Sequence, residues 1–377
     1  MSQPPQSSGP NANANAHAHD EFPCESCGSK LVFEPGQSQL RCPYCDHIQP
    51  ILPGDAGPVA EYDFYTARQH ARRMRAADLA ANGREWQCTG CGALSVTDKQ
   101  SDRCSFCDSP VVVDTRQAEV FAPESLLPFD VDEARAREVF GEWLRSLWFA
   151  PNDLVNKAKN EGIDGVYLPY WTYDATTTTH YSGQRGDHYW VTETYTDSEG
   201  KTQSRQVRKT RWTWTSGVVH DLFDDVLICA SRSLPAWLVQ RLEPWDLHGL
   251  TTYNPAYLSG FVAERYRVDL EDGFCEAKTR MEPEIRDSIR GDIGGDEQRI
   301  SRLSTNYDQV RFKHFLLPLW ISSFRYGDEV YRFVVNARTG EPAGERPWSA
   351  AKIAAAIVGG IALITAIVLL VMYLKDQ

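Results

Sequence analysis

The sequence predicts an α+β fold built in three parts: two small N-terminal β ribbons, a β-rich α+β region of two similar halves, and one C-terminal transmembrane helix. Three observations carry this. A four-cysteine pattern occurs twice before residue 110, blocks of alternating residues follow helical stretches twice, and an uncharged run closes the chain.

The cysteines come first. One set reads Cys24-x2-Cys27, fourteen residues, Cys42-x2-Cys45; the other reads Cys88-x2-Cys91, twelve residues, Cys104-x2-Cys107. A C-x2-C pair places two thiolates on one tight turn, and a second pair some fifteen residues on completes a tetrahedron around Zn²⁺. The stretch between the pairs suffices for a β-hairpin, which gives a zinc ribbon over residues 21–50 and another over 84–112. Gly28, Asp46, Gly92 and Asp108 follow the second cysteine of each pair. These residue types tolerate the left-handed backbone that turns knuckle amides toward sulfur. Two structural Zn²⁺ ions are therefore expected, each closed by four thiolates with no open position for a reacting water.

Composition sets limits on partners. The chain has 377 residues, 42% of them hydrophobic, a formal net charge of −12 and a pI near 5.3. That charge disfavours a surface that coats nucleic acid. The ribbons agree: ribbon one sets Glu21, Glu25, Glu34 and Asp46 against Lys30 and Arg41, and ribbon two sets Glu85, Asp98, Asp102 and Asp108 against Arg84, Lys99 and Arg103. Phosphate-gripping ribbons need a cationic face, because counterion release supplies most of that affinity. Thiolate metal sites imply a reducing compartment. The two cysteines left over, Cys229 and Cys275, read as buried and inert thiols.

In chain order, residues 1–20 are a polar, Pro- and Asn-rich tail without apolar period, neither a folded element nor a signal peptide. A linker and helix occupy 51–83; the helix spans Asp63–Ala81, and Arg68, Arg72, Arg73 and Arg75 read first as a solvated basic face and secondarily as a nucleic-acid or anionic-lipid contact. The globular region, 113–345, opens on the apolar strand Val111-Val112-Val113. Asp130, with Glu133 three residues on, forms a capping box for a helix whose Ala136, Phe140, Trp143, Leu144 and Leu147 face the core. Trp143 and Trp148 read as one core stripe. Residues 166–182 form a strand, and Tyr189–Thr196 with Gln203–Trp214 a long hairpin about Asp197-Ser198-Glu199-Gly200-Lys201. Its second strand interleaves Arg205, Arg208, Lys209 and Arg211 with Trp212 and Trp214, a pattern explained by cross-strand pairing and, secondarily, by a base-stacking surface.

Val226–Ala230 reads as a central strand, and Pro235 starts a short helix. Asp269 to Ile293 keeps a helical period, kinked or divided at Pro283. A second β-rich block begins at Phe315, with turns at Tyr326-Gly327-Asp328 and Asn336-Ala337-Arg338-Thr339-Gly340. Leu168-Pro169-Tyr170-Trp171 and Leu317-Pro318-Leu319-Trp320 match, each preceded by a helical segment, which divides the region into similar halves at about 113–232 and 233–345.

Ile353 to Leu374 is 22 residues without a charge. At about 1.5 Å per residue this reaches across a hydrocarbon layer of about 30 Å. It is read as a single-pass tail anchor over residues 346–377. Arg338, Arg346 and Lys352 precede the span and Lys375 follows it, so the positive-inside rule puts the N-terminal bulk in the cytoplasm, at the cell membrane.

Catalytic patterns are absent: there is no G-x-S-x-G, H-E-x-x-H or G-x-G-x-x-G after a strand. Gly200-Lys201-Thr202 lacks the upstream glycine of a phosphate loop, since Tyr195 stands there. His180, His188 and His220 read as hydrogen-bonded strand residues; Asp224-Asp225 and Glu271-Asp272 read as turn or cap residues. The chain is expected not to be an enzyme.

The ribbons, Leu127-Pro128-Phe129, Gly165-Val166-Tyr167-Leu168-Pro169-Tyr170-Trp171, Leu258-Ser259-Gly260-Phe261, Leu316-Leu317-Pro318-Leu319-Trp320, Asn336-Ala337-Arg338-Thr339-Gly340 and the terminal span occur together. In this combination the chain resembles the bacterial membrane zinc-ribbon proteins of the YdjG type, which also carry TFIIB-type zinc-ribbon and primosomal helicase-like labels. The resemblance implies a role beside phage-shock-type membrane-stress proteins, recruiting a peripheral membrane-remodelling protein. The expected function is a membrane-anchored scaffold whose ribbons are rigid docking knobs for cytosolic or peripheral membrane proteins. A membrane-tethered nucleic-acid-binding protein is the alternative.

Overall fold

The fold is given by a computed structural model, which describes residues 22–52, 61–69, 85–88, 91, 93–96, 104–107, 111–114, 121, 123–158, 162–196 and 200–375. Most of the expected Arg-rich helix lies outside the described residues; 64–69 are helical, and Arg68 pairs with Glu271 at 3.0 Å. Gly92, Asp108 and the tail before residue 22 lie outside them as well.

The molecule is α+β and mostly sheet. The first ribbon is a separate three-stranded sheet of β1 (Val32–Phe33), β2 (Gln39–Arg41) and β3 (Ile48–Pro50). The remaining strands among the described residues join one sheet of twelve. They are β4 (Tyr62–Asp63), β5 (Glu85–Cys88), β6 (Leu94–Val96), β7 (Val111–Asp114), β8 (Ser125–Leu126), β9 (Asp164–Thr196), β10 (Thr202–Cys229), β11 (Thr251–Thr252), β12 (Val262–Glu264), β13 (Glu297–Tyr326), β14 (Glu329–Asn336) and β15 (Pro342–Gly344). Besides the helical residues 64–69, the α-helices among the described residues are α1 (Glu133–Ser146), α2 (Leu154–Ala158), α3 (Ala236–Gln240), α4 (Leu270–Ile293) and α5 (Ala350–Lys375).

Three strands organise everything else. β9, β10 and β13 run 33, 28 and 30 residues, with β9 in the middle and antiparallel to both. The two matching motifs meet where β9 and β13 cross: Leu168 faces Leu317, with Pro169 opposite Leu316 and Tyr167 opposite Pro318. An approximate twofold axis passes there, and contacts repeat about it. The Trp171 indole donates to Val268 O at 2.8 Å, and the Trp320 indole to Val131 O at 2.8 Å. Ala230 N donates to Pro169 O as Ala337 N does to Pro318 O. Val268 N returns to Ala230 O, and Val131 N to Ala337 O. Asp132 caps α1 and Asp269 caps α4. The short strands exchange: β8 of the first half pairs β13 at Phe315 and Leu316, and β12 of the second pairs β9 at Val166 and Tyr167. Neither half closes its sheet without the other.

Alternation then separates two cores. Tyr167, Leu316 and Trp320 enter a cluster with Phe129, Phe261 and the face of α1; Val166, Leu168, Leu317 and Leu319 enter one with Leu238 and Trp245. A third cluster lies farther along the first face, where Phe274, Ala277, Met281, Ile285, Ile289 and Ile293 of α4 cover Tyr173, Tyr181 and Phe223.

Several expectations need correction. The expected strand 166–182 and hairpin are one continuous pair, and the expected central strand Val226–Ala230 is the far end of β10, whose pairing is with β9 alone among the described residues. The block expected from Phe315 begins at Glu297, because serines, arginines and two bulges (between Ile300 and Arg302, and between Asp308 and Arg311) hide its period. The helix cap is Asp132, whose side chain accepts from Arg135 N, while Asp130 uses its amide on Ala337 O. Val111–Asp114 pairs with β5 and so belongs to the second ribbon. Pro283 does not divide α4; it lies on the exposed side, where the carbonyl it frees can meet water. Trp143 packs on the core, but Trp148 is 85% exposed.

Candidate metal centres

Each cysteine set comes together. Cys24, Cys27, Cys42 and Cys45 have all four sulfurs within 4.8 Å of one another, as do Cys88, Cys91, Cys104 and Cys107. The contacts are 3.6 Å for Cys24–Cys45, 3.5 Å for Cys27–Cys42, 3.4 Å for Cys88–Cys107 and 3.7 Å for Cys91–Cys104. A tetrahedron of sulfurs about 2.3 Å from a central ion has edges of about 3.8 Å. The donor sets therefore fit two four-coordinate metal ions.

Knuckle geometry supports the fit. Gly28 and Asp46 sit at φ 74° and 57°, as expected for the turn after each pair. Backbone amides turn to sulfur: Cys91 N donates to Cys88 Sγ at 3.5 Å and Phe106 N to Cys104 Sγ at 3.4 Å. Thiol acidity splits within each set. Burial pushes the Cys42 thiol up, but amides of Tyr44 and Cys45 and the adjoining thiols outweigh this and bring it to about 6. The Cys104 thiol lowers Cys91 to about 5. Cys104, facing Cys91 and buried, is pushed far up; Cys27, despite an amide of Ser29 that lowers it, is raised to about 12 by Cys45 and Cys42. One thiolate forms readily in each set and then opposes the next, and a dication would relieve that opposition.

The two centres are seated differently. Ribbon one lies on the first core face, with Phe33 edge-on to Tyr257 at 5.0 Å and to Phe261 at 6.1 Å. Phe33 N donates to Ser259 O at 3.0 Å, Gly36 N to Phe129 O at 2.9 Å and Ser259 Oγ to Leu31 O at 2.6 Å. Cys24 and Cys42 are buried there, while Cys27 and Cys45 are exposed. Ribbon two belongs to the opposite face and to the large sheet itself. β6 pairs β12, which pairs β9, and Cys88, Cys104, Phe106 and Cys107 pack with Val166 and Leu317. Arg332 Nε donates to Phe106 O at 2.7 Å. Both ribbons are built into the core, so each is held rigidly against the body.

Beside the second centre lies a residue the sequence does not flag. Glu264, 2% exposed, accepts from Ser231 Oγ at 2.7 Å and Ser233 Oγ at 2.5 Å, and burial raises its carboxyl to about 7. The only signal for it is a glutamate ending the apolar run Phe261-Val262-Ala263.

Other candidates resolve as structure. Beyond Gly186, where pairing with β13 ends, β9 and β10 continue as a two-stranded arm. In and beside it, Glu193 pairs with Lys209 at 2.8 Å and Arg205 at 3.5 Å, Arg211 lies over Tyr189 at 5.8 Å, and Arg299 covers Trp212 at 3.8 Å. Cross-strand pairing thus accounts for most of its basic residues. His188 Nε2 meets Glu297 at 2.7 Å, and His220 Nδ1 meets Thr178 at 3.2 Å. Asp225 forms a bulge at φ 51°, its amide donating to Asp174, and Glu271 and Asp272 open α4. Cys229 is half-buried with its thiol pushed by burial to about 12; Cys275 is exposed, not buried as expected.

At the C-terminus, Ala350–Met372 is helical with mean hydropathy 2.8 and no part buried against the protein, so it is long and apolar enough to cross a membrane.

Compared with known proteins, the chain matches no protein-family model, and no solved structure matches it. It is similar to the uncharacterized protein YdjG of Bacillus subtilis (strain 168), with 25% identity over 368 residues, 93% of this chain and 98% of that one.

Proposed function

We propose that the protein is a membrane-anchored scaffold: α5 spans the cell membrane, the bulk of the chain lies in the cytoplasm, and the sheet with its projecting arm recruits cytosolic or peripheral membrane proteins. The observation that carries this reading is the free span, an apolar helix with no covering inside the protein. In this reading the metal is Zn²⁺, two ions per chain, and its role is structural. Four thiolates close each site, leaving no position for substrate or water. The arm supplies the reach: β9 is on the order of 100 Å in contour at about 3.3 Å per residue, and its outer end carries exposed Tyr189, Trp190 and Tyr195. Within this proposal the scaffold serves a membrane-stress system of the phage-shock type and recruits a membrane-remodelling partner.

The test is localisation. Proteins crosslinked to the full chain in cells should fractionate with membranes, and those crosslinked to a chain ending at Lys352 with the cytosol. A partner that stays membrane-bound with the shortened chain would overturn the reading. The shortened chain keeps the contacts of Lys352 and, among the described residues, loses exposed ones apart from the half-buried Ile353.

A second reading, a tethered nucleic-acid binder, draws on Trp190, 64% exposed and directly across from Arg208 on the arm. It requires binding that weakens steeply with salt; filter binding at low salt no stronger than that of an Arg208→Ala, Trp190→Ala chain removes it.

A further inference from the structure

The foot of the span is where the structure carries an inference beyond anchoring. α5 begins against the loop that follows α1. Ser349 N donates to Phe149 O at 2.7 Å, and Lys352 Nζ reaches Ala150 O at 2.7 Å and Trp148 O at 3.2 Å. The first turn of the span and residues 148–150 therefore lie at one depth. At that depth stand two exposed indoles, Trp148 (85%) and Trp348 (57%), with Phe149 against Trp348 at 6.4 Å. An indole exposed in water wastes its apolar surface, whereas at headgroup depth its ring and N–H are both satisfied.

Beside them opens a cleft of about 800 Å³, lined among others by Trp143, Trp237, Arg241, Tyr331, Arg346 and Trp348. Two guanidiniums face it, each over an indole: Arg346 at 4.1 Å from Trp348 and Arg241 at 5.9 Å from Trp237. A guanidinium over an aromatic face keeps N–H groups free to donate. Two carboxylates, Glu329 and Glu345, also line the cleft, and neither forms an ion pair with Arg241 or Arg346. Glu345 is paired with Arg332 at 3.5 Å, and Glu329 accepts from the Tyr331 hydroxyl at 2.6 Å. Among the described residues neither Arg241 nor Arg346 has an ion-pair partner. Two planar donors, held by indoles and placed at the depth of the headgroups, suit a phosphate bearing net negative charge.

We propose that this cleft binds the headgroup of an anionic phospholipid, with Arg241 and Arg346 on its phosphate and Trp148 and Trp348 seated in the interface beside it. The site rests on the reading of α5 as a membrane span. Its occupant is a lipid rather than a free phosphate because the cleft is continuous with the start of the span and walled by indoles. A bound lipid would fix the body against the bilayer, which a single helix with one short junction does not do.

The experiment uses the full chain reconstituted in vesicles of phosphatidylcholine with or without phosphatidylglycerol. Flotation after alkaline washing reads the span. Native mass spectrometry of the detergent-extracted chain counts retained phosphatidylglycerol, and quenching by acyl-brominated lipid reads indole depth. The expected result is one phosphatidylglycerol retained in preference to phosphatidylcholine, weakened about tenfold or more in Arg241→Ala, Arg346→Ala, with flotation and metal content unchanged. Trp148→Ala should lower the quenched share of the fluorescence without altering flotation. Equal retention in the double variant, equal retention of phosphatidylcholine, or displacement by millimolar inorganic phosphate would overturn the lipid site and leave the span intact. A chain that does not float overturns the membrane reading and the site together.

Discussion

The two cysteine ribbons share their ligand set and nearly their spacing, yet the protein uses them differently. Ribbon one is a sheet of its own, held by aromatic contacts and three backbone-directed hydrogen bonds, with Cys27 and Cys45 facing out. Ribbon two has given its strands to the large sheet, and three of its four cysteines are buried with Val166 and Leu317. The motif specifies a metal site; what surrounds it decides whether the metal steadies a module or part of the body. Both centres fold their own loops, but only the second should be felt across the sheet.

The sharpest way to break this comparison is to remove a ligand from each. Cys104→Ser should empty the second centre and destabilise the body by about 3 kcal/mol or more, lowering the melting temperature by roughly 6–12 °C in calorimetry. Equal melting of wild type and variant would place ribbon two outside the cooperative unit. Next comes the seat of ribbon one. Gly260 has φ 89°, and a Cβ there would lie 2.4 Å from Val32 Cγ1. Gly260→Ala should cost about 2 kcal/mol and raise hydrogen exchange in 22–51 while both metals stay bound. A smaller effect is expected from Cys45→Ser, which should lower the metal count by one by elemental analysis. It should move the body's melting far less than Cys104→Ser does, since Cys45 is exposed.

The last prediction concerns the segment between the ribbons. Tyr62 in β4 lies beside the partly buried Glu124, and burial raises the Glu124 carboxyl to about 7 although the Tyr62 hydroxyl lowers it. A carboxyl raised in the folded state favours folding fully below its unfolded value near 4.5, and that contribution is lost as pH rises through 7. Glu124→Gln should flatten stability between those limits in urea titrations at several pH values. An unchanged pH profile would mean that the carboxyl is better hydrated than its burial implies.

The cysteine sets, both long helices and the apolar span are legible in the sequence because their signals are local: ligand spacing, a 3.6-residue period, an uncharged run. Trp148 misleads because it continues the helical period past Ser146, where α1 has already ended. The length of β9, β10 and β13 is hidden for a different reason. Threonines, glycines and paired charges spread across two faces leave no clean alternation, and bulges shift the phase. The matching Leu-Pro motifs show that something repeats, but not that they face each other across an axis. Glu264 and the seats of the ribbons depend on partners far along the chain, and no window of sequence contains both members.

The exchange of short strands between the halves bears on the order of events at synthesis. β9 cannot find its inner partner until residues 297–326 exist, and the Leu31 carbonyl waits for Ser259, 228 positions later. Until then the chain holds metal-ready ribbons with nothing to sit on and a β9–β10 pair whose inner edge is open to aggregation. Closure of the body and emergence of the apolar span then fall within a few dozen residues of each other. In the proposed anchored form, folding and delivery to the bilayer then compete in time, and the speed of one constrains the success of the other.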